Sequence, residues 1–196
     1  MASGNVMIDL ETLGLKPGCA IAAIGAVFIQ DGEIVSDFYR RIKWGQAVKK
    51  YGFEMDPATV AWWLSQPKES AQELTADGGH TLRQALIDLQ RWLKKRSPEN
   101  NHLVWGNGSD FDNVILDSAY QRLGLNRPWG DFSNRCYRTL AKVFPHIPRH
   151  KPEVKHHALH DARAQAGHLI ELQGMINAKV NPGSSAAALA PRGACA

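Results

Sequence analysis

The sequence predicts an α/β domain built on a single mixed sheet flanked by helices. Strand patterns come first along the chain, and from residue 56 onward helical patterns alternate with a further strand. With 196 residues, of which 44% are hydrophobic, the chain can form one core of ordinary size. This order of elements fits an α/β domain that contains one sheet.

The first part of the chain is predicted to form an antiparallel meander. Residues 5–11 alternate in polarity as a strand with one buried face does, and residues 20–29 are a dense apolar run typical of a strand buried on both faces. Asp31-Gly32 is a strong hairpin signal before a third strand over residues 34–42. The three strands therefore pair in sequence order.

The later elements are predicted from capping residues and helical spacing. Asp56 and Pro57 start a helix that stops before Pro67. Thr81 caps the next helix, with Gln84 completing a capping box. Asp110 is the expected N-cap of another helix. The remaining elements are a core strand over residues 103–105, a helix over 138–144, a basic loop over 145–152 and a last helix over 158–178.

Composition predicts the domain boundary, the cellular location and the charge of a binding partner. Residues 1–178 are predicted to form the folded domain, and residues 179–196, rich in Ala, Gly, Ser and Pro, a disordered tail. Neither a signal peptide nor an apolar run long enough to span a membrane is present, so we expect a cytoplasmic protein. A net charge of +4 suits a polyanionic partner.

Two acids in the first strand raise the question of a metal site. Alternation places Asp9 and Glu11 on one face, with Cα atoms about 6.6 Å apart at the usual rise of a strand. Their mutual repulsion in a site of low dielectric would be relieved by a divalent cation. For an isolated pair, solvated carboxylates on an exposed face remain the simpler interpretation.

Two later acids could complete a cluster with this pair. Asp112 follows the core strand and the flexible Gly106-Asn107-Gly108, and Asp161 lies near the start of the last helix. Both positions lie where α/β sheets carry their chemistry, at strand ends and helix starts. Carboxylate ligands favour Mg²⁺ or Mn²⁺ and disfavour Zn²⁺. A zinc site at His156 and His160 is disfavoured because it would need two further nitrogen or sulfur ligands.

Three motifs in order resemble those of the DEDD exonucleases of the ribonuclease H-like fold, in their histidine-bearing subclass (DEDDh). The resemblance spans Val6 to about Ile176, and its motifs are Asp9-Leu10-Glu11-Thr12, Phe111-Asp112 and His156-x-x-x-x-Asp161. Residues 42–66 further resemble a segment of the group formed by phage exodeoxyribonuclease A, exodeoxyribonuclease VIII-like proteins and bacterial 3′-5′ exoribonucleases. The chain departs from this group at residues 134–137. The group has an Asp ahead of the Arg-Thr pair, whereas this chain has Asn134-Arg135-Cys136-Tyr137 before Arg138-Thr139.

The resemblance implies a metal-dependent 3′→5′ exonuclease that releases nucleoside 5′-monophosphates from the 3′ end of single-stranded DNA or RNA. Two Mg²⁺ or Mn²⁺ ions would be held by the four acids, and His156 would act as general base. Related exonucleases often form homodimers. The alternative function is a nucleic-acid-binding module that keeps the fold without turnover.

Substrate contacts are expected beside the motifs and in the basic loop. Thr12 and Leu13 follow the first motif, and Phe111 adjoins Asp112. Of Trp62 and Trp63, which point about 100° apart on a helix, at most one is expected to face substrate; Trp62 is the candidate, and the sequence does not choose between the two. Arg149 and Lys151 would draw the loop, and with it a mobile His156, onto the phosphates.

Overall fold

A computed structural model describes residues 4–75 and 78–180 of the chain. The predicted tail lies outside these residues except for Lys179 and Val180, which are still helical. The elements in chain order are β1 (Asn5–Thr12), β2 (Ile21–Gln30), β3 (Glu33–Arg41), α1 (Trp44–Tyr51), α2 (Pro57–Leu64), α3 (Lys68–Thr75), α4 (Leu82–Arg96), β4 (Leu103–Gly106), α5 (Asp112–Arg122), β5 (Asn134–Cys136), α6 (Tyr137–Val143) and α7 (Ala158–Val180).

The five strands form one mixed sheet in the order β3-β2-β1-β4-β5. The first three pair antiparallel, as the hairpin signal predicts, whereas β4 runs parallel to β1 and β5 runs parallel to β4. Helices flank this sheet, so the predicted fold class is confirmed. Because β1, β4 and β5 are parallel, their carboxyl ends meet at the same edge.

The central strands divide the core into two layers. Val6, Ile8 and Leu10 of β1 pack in the larger layer with α4 and α5, as the alternation predicts. Met7 packs on the other face, against the apolar side of α7. Strand β2 is buried on both faces, which agrees with its continuous apolar sequence. Among the described residues, no helix has the length and apolar character needed to cross a membrane.

Helix starts agree with the sequence at two positions and differ at a third. Asp56 caps α2 by accepting from the N–H groups of Ala58 and Thr59. Thr81 caps α4, but the Gln84 side chain donates to Asp88 instead of completing the capping box. The N-cap of α5 is Phe111, without a side-chain bond, and the prediction that Asp110 caps this helix is wrong.

Three short elements were not predicted. Helix α1 lacks a capping side chain at Lys43, and α3 spans only Lys68–Thr75. Strand β5 has three residues and falls in the segment that departs from the family pattern. There the Asn134 side chain accepts a hydrogen bond from the Asn113 side chain at 3.0 Å, which links β5 to α5.

The start of α7 crosses the sheet at Gly25. A Cβ atom at this position would lie 2.2 Å from the carbonyl carbon and oxygen of Ala158. Gly25 is paired in register with Asp9 on β1. The missing side chain therefore lets the first turn of α7 approach the sheet beside Asp9.

We expect Gly25→Ala to destabilise the protein by about 1–3 kcal/mol, because backbone would have to move to admit the methyl group. Gly174→Ala is the control. Gly174 lies in α7, the helix that Gly25 contacts, and has open space around it, so this substitution should stabilise the protein by about 1 kcal/mol. Chemical denaturation in the presence of a chelator measures both changes. Equal stability of Gly25→Ala and the wild type would contradict the close approach.

Candidate active site

Four carboxylates meet at the carboxyl edge of the parallel strands. Asp9 and Glu11 lie on β1, Asp112 is the first residue of α5, and Asp161 is in the first turn of α7. One carboxylate oxygen from each of Asp9, Glu11 and Asp161 lies within 4.8 Å of the others. All four acids line a cleft of about 420 Å³. The structure thus brings the predicted acids together.

Asp112 is held by backbone amides. Its Oδ1 accepts from the N–H of Leu10 at 3.2 Å, and its Oδ2 accepts from the N–H of Gly108 at 3.4 Å. A Cβ atom at Gly106 would lie only 2.9 Å from the Cβ of Asp112, so glycine is required where β4 ends. These contacts tie Asp112 to β1 between Asp9 and Glu11.

Burial raises the pKa of each acid. For Asp9 the charges of Asp112 and Asp161 raise the pKa further, and for Glu11 the charges of Asp9 and Asp161 do the same. Burial raises the pKa of Asp112 to about 6 although backbone N–H groups oppose the shift. Burial also raises the pKa of Asp161. A divalent cation would offset this repulsion, and an all-oxygen donor set suits a hard ion such as Mg²⁺ or Mn²⁺.

Gln165 is a site residue that the sequence analysis missed. Its Nε2 donates to Oδ1 of Asp9 at 2.6 Å, and it lines the acid cleft. This hydrogen bond favours the ionised form of Asp9. The position could have been found from spacing, since Gln165 lies four residues after Asp161 and therefore on the same face of α7.

His156 lines the acid cleft and is fixed by aromatic rings. Its backbone has φ of 59°, in the left-handed region that non-glycine residues seldom adopt. Its ring packs edge-on against Trp62, with centroids 4.9 Å apart, and against Trp63 at 6.1 Å. Two indoles of α2 thus pack against its ring beside the cleft, and the expectation that His156 moves with the preceding loop stays a prediction.

A second cleft of about 440 Å³ adjoins the acids and is mainly apolar. It shares Leu10, Glu11, Leu15 and Phe111 with the acid cleft, and Thr12 and Trp62 line it as well. The Trp62 side chain is 43% exposed, whereas Trp63 is buried and donates from Nε1 to the carbonyl of Thr12. Both tryptophans line the apolar cleft, but only Trp62 exposes much of its ring there.

Leu13 does not face either cleft. It is fully buried in the larger core layer, so the expected substrate contact at this residue is wrong. Leu15, two residues later, is 67% exposed and lines both clefts. Strand β1 ends at Thr12, and the chain then turns, so the alternation that describes β1 does not extend to these leucines.

The basic residue that lines the acid cleft comes from a different element than expected. Arg149 lies over the ring of Tyr137 at 5.3 Å, and neither Arg149 nor Lys151 lines the two clefts. Arg138, in the first turn of α6, lines the acid cleft instead. The parallel strands account for this position, because α6 begins where β5 ends at the same edge.

Comparison with solved structures identifies the fold. The nuclease domain of 3′hExo, a DEDDh family member bound to rAMP, is 14% identical with a TM-score of 0.60 over 88% of this chain and 92% of that chain. Escherichia coli exonuclease I with a dT13 oligonucleotide is 15% identical, with a TM-score of 0.59 over 92% of this chain and 42% of that chain. Exonuclease X with 5′ overhanging duplex DNA is 18% identical, with a TM-score of 0.55 over 87% of this chain and 91% of that chain. These likenesses show the ribonuclease H-like fold of DEDDh exonucleases.

Sequence comparison identifies the family. No curated protein matches the chain. A family described as the 3′-5′ exoribonuclease Rv2179c-like domain matches residues 4–173, a span that includes every acid of the cleft. The chain therefore belongs to the Rv2179c-like family and is a 3′-5′ exonuclease.

Proposed function

We propose that this exonuclease hydrolyses single-stranded RNA from its 3′ end and releases nucleoside 5′-monophosphates, with two Mg²⁺ or Mn²⁺ ions and His156 as general base. The observation that carries the proposal is the convergence of four carboxylates, two of them buried and two half-buried, and one histidine on a single cleft. The exoribonuclease description of the family favours RNA over DNA. A cytoplasmic location and a homodimer stay predictions from the sequence.

Asp9, Glu11, Asp112 and Asp161 would hold the ions. When bound, the ions would make water a stronger nucleophile and stabilise the leaving 3′ oxygen. The Gln165 amide keeps one oxygen of Asp9 in place, and the amides of Leu10 and Gly108 do the same for Asp112. Fixed ligands reduce the rearrangement that each turnover requires.

The remaining residues orient the strand and move a proton. His156 would accept the proton of the attacking water, since its ring lies at the acid cleft. Leu15, Phe111 and Trp62 would hold the terminal base in the adjoining apolar cleft. Arg138 would offset phosphate charge at the acid cleft, and Arg149 and Lys151 are proposed to contact phosphates farther along the strand.

Digestion of matched RNA and DNA strands tests the proposal. Each strand is labelled at its 3′ or 5′ end and incubated with Mg²⁺, Mn²⁺ or chelator, and products are identified by mass. We expect nucleoside 5′-monophosphates from the 3′ end, faster release from RNA, and no hydrolysis in chelator. Faster digestion of DNA would overturn the RNA assignment. Strand binding without hydrolysis in either metal would favour the non-catalytic binding module.

Asp112→Asn should abolish most activity, whereas Asp110→Asn should leave it near the wild-type rate. An amide is a poor ligand for a hard dication, and losing such stabilisation of the transition state costs about a hundredfold or more in rate. Asp110 is exposed and outside both clefts, so it is the matched control two residues away.

Asp112→Asn also distinguishes a loss of metal binding from a loss of stability. Because the pKa of Asp112 is raised to about 6, its ionised form destabilises the folded state above that pH, and the neutral amide removes this cost. Asn keeps only one of the two acceptor oxygens, so it loses the weaker bond from Gly108, and Asp112→Asn should therefore melt close to the wild type in chelator at neutral pH. Equal activity losses at both positions would refute the assignment of Asp112 as a ligand.

His156→Ala should lower kcat by about 10²–10⁴-fold while the metal concentration for half-maximal activity stays unchanged. Added imidazole should restore part of the rate if the missing group is a base rather than a structural support. His146→Ala, an exposed histidine of the preceding loop, is the control and should leave kcat unchanged. Full activity of His156→Ala would assign the base to another residue.

Leu15→Ala and Leu13→Ala should separate substrate contact from core packing. Leu15→Ala should raise KM roughly tenfold by removing apolar contact with the terminal base, with no change in melting. Leu13→Ala should destabilise the protein by about 2–5 kcal/mol because it leaves a cavity in the core. Kinetics on short strands and thermal melting measure the two effects, and an unchanged KM for Leu15→Ala would remove Leu15 from the base-binding cleft.

A further inference from the structure

Helix α3 buries two polar side chains that the proposed mechanism does not use. Glu73 is 5% exposed and Ser70 is 4% exposed. A carboxylate removed from water is costly unless it has partners, so the contacts of Glu73 indicate why the helix carries it. Both side chains face the segment that bears His156.

Glu73 links β3 to the residue after His156. The Tyr39 hydroxyl donates to both carboxylate oxygens of Glu73, at 2.8 and 2.9 Å. Nε2 of His157 lies 3.6 Å from Oε1 of Glu73, and the His157 ring stacks on the Tyr39 ring with centroids 4.7 Å apart. The His157 side chain is therefore held by a strand and a helix at once.

Ser70 holds the residue before His156. Its hydroxyl donates to the carbonyl oxygen of Lys155 at 2.8 Å. On the other side, the N–H of His157 donates to Oδ2 of Asp161 at 3.2 Å. The backbone of His156 thus lies between two anchored neighbours, which accounts for its left-handed φ of 59° in a non-glycine residue.

We infer that Ser70 and Glu73 are positioning residues, which hold His156 in its left-handed conformation with its ring at the acid cleft. The inference rests on the proposed role of His156 as general base. A different role for Glu73, as a further metal ligand, is disfavoured because Tyr39 already donates to both of its oxygens. The clustered carboxylate oxygens belong instead to Asp9, Glu11 and Asp161.

Ser70→Ala and Glu73→Gln should lower kcat by roughly 10- to 100-fold, since a displacement of about 1 Å at a reacting group has effects of this size. KM and the metal concentration for half-maximal activity should stay unchanged. Ser70→Thr keeps the hydroxyl and should retain most of the rate. Ser97→Ala is the matched control, because Ser97 is buried to a similar degree at the end of α4 and its hydroxyl bonds to Asn101.

A double-mutant cycle separates positioning from a general loss of structure. If Ser70 acts through His156, Ser70→Ala should cause no further loss in the His156→Ala background. Equal losses in both backgrounds, or a loss in Ser97→Ala as large as that in Ser70→Ala, would overturn the inference. If Glu73→Gln does not fold, which thermal melting reveals, the Ser70 cycle alone decides.

The outcome also distinguishes failure of the inference from failure of the proposed function. Full activity of His156→Ala would refute the base assignment and the inference with it. A large loss in His156→Ala combined with unchanged kcat in Ser70→Ala and Glu73→Gln would refute only the positioning role. A large loss in His156→Ala, the smaller expected losses in Ser70→Ala and Glu73→Gln, and no further loss in the Ser70→Ala, His156→Ala double variant support both.

Discussion

Repulsion among four closely grouped carboxylates is the constraint on which the site depends. The pKa values of Asp9, Glu11, Asp112 and Asp161 are all raised, with burial as the largest cause. Groups whose pKa is raised on folding destabilise the folded state when ionised, and this cost declines as the pH falls through the raised values. The chain offsets part of it with the Gln165 amide and backbone N–H groups. A bound cation would offset much of the remainder, so metal binding and stability are expected to be coupled.

Close approach of backbone elements makes this concentration of charge possible. Gly25 admits the start of α7 beside Asp9, and Gly106 leaves room for Asp112 at the start of α5. The parallel pairing of β1 with β4 puts both helix starts at the same edge of the sheet. A side chain at either glycine would push the acids apart even though every acid was still present. Packing on the sheet therefore sets the electrostatics of the cleft.

Local sequence predicted the features that depend on local rules. Alternation identified both faces of β1, and motif spacing selected the four acids. It failed where tertiary contacts decide, since the N-cap of α5 is Phe111 and not Asp110, one residue earlier. Leu13 and Leu15 are both leucines, and only the turn after β1 buries Leu13 in the core and leaves Leu15 on the surface. Helix α3 was missed because its stability comes from contacts with β3 and the segment before α7, which lie far away in sequence.

The acids and the histidine are supported by different parts of the fold. The sheet edge fixes the carboxylates, whereas Trp62, Trp63 and the contacts of α3 fix the segment that carries His156. The spacing between His156 and Asp161 locates both residues but cannot show that the histidine is held from elements earlier in the chain. A general base must keep its position while substrate enters and product leaves. Trp62 of α2 packs against His156 and also lines the apolar cleft, so the position of the proposed base depends on a residue that would also contact the terminal nucleotide.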